Sequence, residues 1–332
     1  MTERTRRAAY VAIALGLLSA LFFSATYVLN RAAADASGDW LWTASLRYLF
    51  TLPLLLPLMA WQGGVAPVWA SLRRHPLPWL LWSGIGFGLF YVCLAWAAAT
   101  GPSWLIAGSF QLTVVAGMLC APLLYRDARR RIPPAVLAVA VAMLGGVLLM
   151  QWSAAGGALS PEDWLALAVV AVSAVAYPLG NRGLLLHLEH SGEQLNASQR
   201  VFGMTLASQP IWWLLAAFAY GRTGAPPLNQ ALLALGVAVF AGIIATVLFF
   251  EATGRVRNQP GALGAVEAMQ AAEIIFASVL GAWLFGEALP GASAWSGAAI
   301  VMAGIIALGL LAGREAAGHQ AALAALRSER GG

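Results

Sequence analysis

Residues 262–312 read ALGAVEAMQAAEIIFASVLGAWLFGEALPGASAWSGAAIVMAGIIALGLLA. Two apolar runs, 262–285 and 291–312, flank a turn at 287–290. Each is long enough to cross a bilayer core, which takes about 17–25 residues as a helix. The link is so short that the two must lie antiparallel. No water is present in the hydrocarbon to receive backbone N–H and C=O groups, so a spanning segment is a helix or a strand of a closed barrel. Runs that are continuously apolar, without alternation, are helices. The stretch is therefore expected to be a transmembrane helical hairpin.

Working outward, eight more runs of this kind fall at 8–29, 43–61, 77–99, 103–125, 133–152, 163–182, 202–220 and 230–253. Residues 100–102 join the third and fourth as tightly as the last two are joined. The composition agrees. Of 332 residues, 60% are hydrophobic and 10% charged, with a mean hydropathy of +0.75. Soluble domains carry about 25% charged residues, so lipid must solvate much of this chain. The reading is an all-α integral membrane protein of ten transmembrane helices. The basic start before the run at 8–29 is like that of a signal peptide, but the run is long and reads as an uncleaved first helix.

Every basic residue other than histidine is arginine, 19 in all, and the net charge is +5. In a soluble chain this would point to nucleic acid; here the arginines sit in short clusters between apolar runs. With the N-terminus inside, sixteen fall in inside segments and only Arg31 and Arg222 outside. The inside set includes Arg4, Arg6, Arg7, Arg73, Arg74, Arg126, Arg129, Arg130, Arg131, Arg255, Arg257 and Arg314. That bias places both termini in the cytoplasm of a multi-pass inner-membrane protein. Trp40, Trp42, Trp61, Trp79, Trp104, Trp152, Trp164 and Trp295 lie near run ends, where an amphipathic ring favours the interface. Cys93 and Cys120 lie inside runs and match no CxxC or ligand spacing. His187 and His190, at i, i+3, are a weak metal pattern. No cofactor or metal is called for, and no Walker A or nucleophile–base signature indicates ATP drive or an enzyme.

Ten runs divide into two fives, and an odd number per half inverts the second. The sequence carries traces of such a repeat. YVLNR (27–31) is echoed by YPLGNR (177–182), and ASLR (44–47) by ASQR (197–200). Pro102 corresponds to Pro260, Gln111 to Gln270, Gly145 to Gly304, and Asp127 to Glu287. The units are 1–152, 153–312 and a cytoplasmic tail, 313–332. Inverted halves suit a transporter that rocks about a midplane site.

AAEIIFASVLGAWLFGEAL (271–289) followed by GAAIVMAGIIAL (297–308) resembles the ten-helix, EamA-like branch of the drug/metabolite transporter superfamily. Glu273 takes the position of that family's first Glu, Ile274 stands where a Pro is usual, and Gly286–Glu287 closes the helix. Residues 18–50 and 76–113 resemble more specifically the multidrug resistance efflux transporter family. The resemblance implies a ten-helix fold and drug or metabolite efflux. Unlike the four-helix pumps of the same superfamily, the first helix here has no acid.

Ionisable groups at mid-membrane cost about 2.5–3.5 kcal/mol even on lenient scales, so the few present are informative. Glu267 and Glu273 lie about 9 and 18 Å along the ninth run. Each either binds a cationic substrate or a proton, or is a structural carboxylate. Gln111 and Gln270 either hydrogen-bond substrate or tie helices together. Tyr27, Tyr91, Trp96, Phe110 and Tyr177 are candidates for a cavity wall suited to cationic or amphipathic ligands. Arg47 either snorkels, pairs with Asp35 or Asp39, or lines the outer vestibule; it and its repeat mate Arg200 read as structural charges. So do Glu251, four residues before Arg255, and Glu287 at a helix corner. Glycines 84, 86, 88, 145 and 146 permit close helix contact. The expected function is secondary-active export of small organic molecules, with proton antiport open. A facilitative amino-acid or metabolite exporter is the alternative, and a lipid flippase or membrane enzyme the alternative of another class. The expected partners are a small organic substrate, protons and the bilayer, with no nucleic acid, in a monomer or homodimer.

Overall fold

The computed structural model describes residues 3–126, 132–256 and 260–330. Asp127, Arg129, Arg130, Arg131 and Arg257 lie outside them. Among the described residues there is no strand. The helices are α1 (Glu3–Asp35), α2 (Trp40–Trp61), α3 (Ala66–Arg74), α4 (Pro76–Ala98), α5 (Ser103–Leu119), α6 (Pro134–Ala154), α7 (Pro161–Ser191), α8 (Ala197–Ala207), α9 (Gln209–Thr223) and α10 (Leu228–Val256). Two more follow. α11 combines Pro260–Ala268, a 3₁₀ turn at Met269–Ala271 and Ala272–Phe285; α12 is Ala292–Arg330.

Helix starts follow local chemistry. Ser160 and Asp163 form a reciprocal capping box on α7, with Pro161 in the first turn, and Asn196 and Gln199 form another on α8. Each satisfies donors that a helix start leaves unpaired. Asp39 accepts from Leu41 N at 2.8 Å to cap α2.

Eight described helices are long and apolar enough to cross a membrane, not ten. The two shortfalls have local causes. The run at 103–125 folds as α5, interrupted at Gln111 and broken at Cys120, after which only the single turn Ala121–Leu124 follows. Its 17 residues reach only about 25 Å. The run at 202–220 is split into α8 and α9, bent by 42°. The ring of Pro210 cannot sit against the carbonyl four residues earlier and supplies no N–H. Two long helices also contain π-helical stretches, Gly84–Leu89 in α4 and Ala238–Ala245 in α10. α3 was not anticipated, and the tail continues α12 without a break in the backbone.

α1 packs on α10 and α11, and α7 on α4 and α5. α6 packs on α12, α5 on α11, and α2 on α8 and α9. Small residues set two of these crossings. A Cβ on Gly180 would meet the backbone of Gly86, and one on Gly146 would come within 2.8 Å of Gly297 O. Outward, the helices present Val141, Trp213, Leu214, Phe218 and Trp283, all well exposed. A water-facing protein avoids such continuous apolar surface; lipid accepts it. Of the expected interfacial tryptophans, Trp61, Trp152 and Trp164 are exposed at helix ends. Trp42, Trp79 and Trp104 are buried instead. Trp42 Nε1 donates to Gly224 O at 3.1 Å and Trp79 Nε1 to Ser71 Oγ at 2.9 Å, which meets the polar need of a buried indole.

Candidate functional site: a central cavity with an acid and two arginines

A cavity of about 380 Å³ lies among α1, α2, α4, α5, α7, α8, α10 and α11. Its wall is aromatic: Tyr27, Tyr48, Phe87, Phe90, Phe110 and Tyr177 line it. Phe90 and Tyr177 have ring centroids 4.9 Å apart, Phe90 and Phe110 5.5 Å, and Tyr27 and Phe110 6.4 Å. The lining reaches the bundle end that holds Ala197 and Arg200 of α8 and Phe249 and Phe250 of α10. Behind its far side Tyr48 stacks on Trp212 at 4.4 Å and 3°. There too Tyr91 exchanges hydrogen bonds with Asn30, at 2.9 and 3.1 Å.

Glu273 lines this cavity at 7% exposure. It lies in the first turn of the last segment of α11, two residues past the 3₁₀ turn, which tightens the backbone there. Its Oε2 accepts from Tyr27 Oη at 3.0 Å and, more weakly, from Gln111 Nε2 at 3.4 Å. Gln111 occupies the interruption of α5 and Gln270 the 3₁₀ turn of α11, so both glutamines sit where their helices are irregular. Both line the cavity, and Gln270 Nε2 is buried with no hydrogen-bond partner among the described residues.

Arg47 also lines the cavity, at 9% exposure. Neither of the acids near it in sequence reaches it. Asp35 pairs with Arg31 at 2.8 Å, and Asp39 caps α2 and lies 4.0 Å from Arg222. Instead its guanidinium lies 4.0 Å from the Tyr91 ring centroid and 5.3 Å from that of Tyr48. Such contacts contribute roughly 0.5–2 kcal/mol, while a buried, unpaired donor costs about 1–3 kcal/mol and more when charged. Nη1 is such a donor: it is buried and has no hydrogen-bond partner among the described residues. Arg200 is half-buried and lines the same cavity at the bundle end where α8 begins.

The other sequence candidates fall elsewhere. Tyr91 is fully buried behind the wall, and Trp96 packs against the central core without lining the cavity. Glu267 is exposed and does not line it. Glu251 pairs with Arg255 at 2.8 Å, the i, i+4 arrangement that the spacing allows. Glu287 accepts from the backbone N of Ser103 at 2.8 Å and from its hydroxyl, tying the end of α11 to the start of α5. His187 packs edge-on to His75 at 4.9 Å, and no group of three potential metal ligands occurs among the described residues. Sequence reasoning passed over Tyr48, Trp212 and Asn30. Asn30 had a signal: an amide inside an apolar run must find a partner, and the YVLNR motif contains it.

The model of the EmrE family, "Putative multidrug resistance efflux transporter", matches residues 10–314. The chain belongs to this family. EmrE-family membership makes it a member of a membrane transporter family, consistent with the drug/metabolite transporter superfamily. Two relatives are uncharacterised proteins. YjlA of Bacillus subtilis (strain 168) is 41% identical over 304 residues, covering 89% of this chain and 93% of its own. A 42.1 kDa protein of Shouchella clausii is 40% identical over 288 residues, covering 85% and 75%. A crystal structure 17% identical in sequence superposes with a TM-score of 0.53 over 91% of this chain and 98% of its own, a likeness of fold alone.

Proposed function

We propose that this EmrE-family chain is a secondary-active exporter of small organic molecules, with the central cavity as the transport site and Glu273 as the group that exchanges a proton for substrate. The observation that carries the reading is the cavity itself. A buried carboxylate, held by a tyrosine and a glutamine, faces an aromatic space large enough for a small organic molecule. Glu267, exposed outside the cavity, has no such role.

The reading includes ten spans in two inverted halves, counting α5 and the bent α8–α9 pair as crossings. The packing supports this. Exchanging each span for its counterpart five places on turns α1 against α10 and α11 into α7 against α4 and α5. The π-helical stretches fall in the third span of each half, and the breaks at Gln111 and Gln270 in the fourth. The ends of the bundle agree with alternate crossing. Gln62 O accepts from Asn196 at 2.7 Å and Arg74 pairs with Glu193 at 3.2 Å, all in segments read as cytoplasmic. Arg31 bonds to Gly101 O, Ser103 to Glu287 and Ser293 to Ser153 on the other side. In this orientation both termini are cytoplasmic, the host membrane is the inner membrane, and the cavity opens to the cytoplasm. Tyr48, Trp212, Tyr91 and Asn30 form the outer closure.

The test is transport by the full chain in proteoliposomes loaded with a panel of small organic molecules, with and without an imposed pH gradient. Gradient-driven movement of a panel compound is expected. Movement indifferent to the gradient would replace antiport with facilitated export. Transfer of a fluorescent lipid with no panel compound moving would replace the exporter by a flippase.

A further inference from the structure

We infer that the cavity holds its substrate through an anionic group, a carboxylate or a group of like charge, docked on Arg47. The inference rests on the cavity being the transport site and names the class of molecule it takes.

Charge in the cavity is unbalanced toward the positive. Arg47 and Arg200 line it, against the single carboxylate of Glu273. Four arginines elsewhere have acids: Arg31 has Asp35 at 2.8 Å, Arg74 has Glu193 at 3.2 Å, Arg222 has Asp39 at 4.0 Å and Arg255 has Glu251 at 2.8 Å. Among the described residues neither Arg47 nor Arg200 has a carboxylate within 4.0 Å. Arg73, over the Trp69 ring, and Arg182, bonded to Gly117 O, lack one too but do not line the cavity; Arg47 and Arg200 do.

Arg47 is also incompletely bonded. The rings of Tyr91 and Tyr48 lie beside its guanidinium at 4.0 and 5.3 Å, and Tyr91 is held in place by Asn30. Rings partly offset the charge but give Nη1 no oxygen, and it is enclosed without an acceptor. A guanidinium presents its N–H groups as a planar fork, which carboxylate and phosphate oxygens match. A molecule with one anionic group and a flat apolar body fits: the head on Arg47, the body against Tyr48, Phe87 and Phe90. Arg200, at the open end, favours entry of the same charge. A purely cationic molecule must pass one guanidinium and settle beside another. An added amine would find Glu273 Oε1, the oxygen that Tyr27 and Gln111 leave unused, and would compete there with a proton.

Four probes share one phenyl body and differ in the head: phenylalanine, 3-phenylpropionate, phenethylamine and phenylphosphonate. Binding of each to the full chain in detergent is measured by equilibrium dialysis, for wild type, Arg47→Gln and Arg47→Lys. The wild type is expected to hold the anionic probes at least tenfold more tightly than phenethylamine. Arg47→Gln should lose that preference and Arg47→Lys keep part of it. Tighter binding of the phosphonate than of the carboxylates would assign a phosphorylated substrate, still an anion on Arg47. The wild-type ranking carries the test if Arg47→Gln does not fold. Preference for phenethylamine, equal binding of all four, or no binding of any overturns the inference. Transport of the amine alone, unchanged in Arg47→Lys, overturns it while leaving the exporter reading intact. Gradient-independent transport of anionic probes does the reverse for the antiport reading.

Discussion

Gly180→Ala should destabilise the protein although alanine is the better helix former. In peptides the exchange of Gly for Ala within a helix gains about 0.8–1 kcal/mol. Gly180 lies inside α7 where that helix crosses α4. A Cβ there would meet Gly86 N and Cα and would stand 2.6 Å from Trp82 O. Every one of these atoms is backbone, so no rotamer change relieves the overlap and the helices must separate. Overpacking of this kind costs about 1–3 kcal/mol, occasionally more, which outweighs the propensity gain at the upper end. Separation would also loosen Ser173 Oγ from Phe90 O, a 2.8 Å bond along the same interface. Gly145 supplies the control. It lies within α6, and a Cβ there meets nothing within 4 Å, so Gly145→Ala should be neutral or stabilising by up to about 1 kcal/mol. The assay is thermal unfolding in detergent followed by intrinsic fluorescence, with size-exclusion profiles as a check of assembly. A Gly180→Ala protein as stable as wild type, or a Gly145→Ala protein that loses more than it, would refute the close-crossing argument.

Other outcomes follow from the same geometry. Tyr27→Phe removes the shorter of the two hydrogen bonds to Glu273 and should lower transport five- to fiftyfold, while Trp96→Phe, away from the cavity, should leave it within twofold; substrate flux in proteoliposomes separates them. Glu287→Ala strips the cap from the start of α5 and should cost roughly 1–2 kcal/mol of stability, read as a lower unfolding temperature. Glu251→Gln breaks only an exposed pair and should change stability by less than about 1 kcal/mol. With Cys93 and Cys120 replaced, a cysteine at Gly157 should react with an impermeant thiol reagent added to whole cells, and one at Gly63 only after permeabilisation; the opposite pattern would reverse the assigned orientation.

The apolar runs were legible because nothing else in the sequence competes with them. Continuous Leu, Val, Ile and Ala over 20 or more residues leaves the backbone one way to satisfy itself in lipid. The interruptions were less legible. Pro53 and Pro57 sit inside α2, which stays whole, while Pro210 divides α8 from α9. The difference lies in the neighbours. Ser208 Oγ and Gln209 Nε2 both bond to Thr205 O, at 3.0 and 3.1 Å, and Trp212 Nε1 bonds to Ser208 Oγ, so polar groups accept the break. Pro57 lies among leucines that offer none. At the site, the type of residue was readable but not its facing. Glu267 and Glu273 are six residues apart, and the 3₁₀ turn between them alters the helix period, so sequence alone left both as candidates. For Arg47 the sequence left snorkelling, pairing with Asp35 or Asp39 and lining a vestibule all open, with a structural role favoured; in the fold both acids have other partners and the side chain lines the cavity.

The central claim, that Glu273 exchanges a proton for substrate within the cavity, is tested most directly by substrate-driven proton movement. A pH-sensitive dye is trapped in proteoliposomes, a transported compound is added outside, and wild type is compared with Glu273→Gln and Glu267→Gln. The account predicts a substrate-dependent pH change for wild type and Glu267→Gln, and none for Glu273→Gln. A proton signal that persists in Glu273→Gln, or that vanishes only in Glu267→Gln, would contradict it.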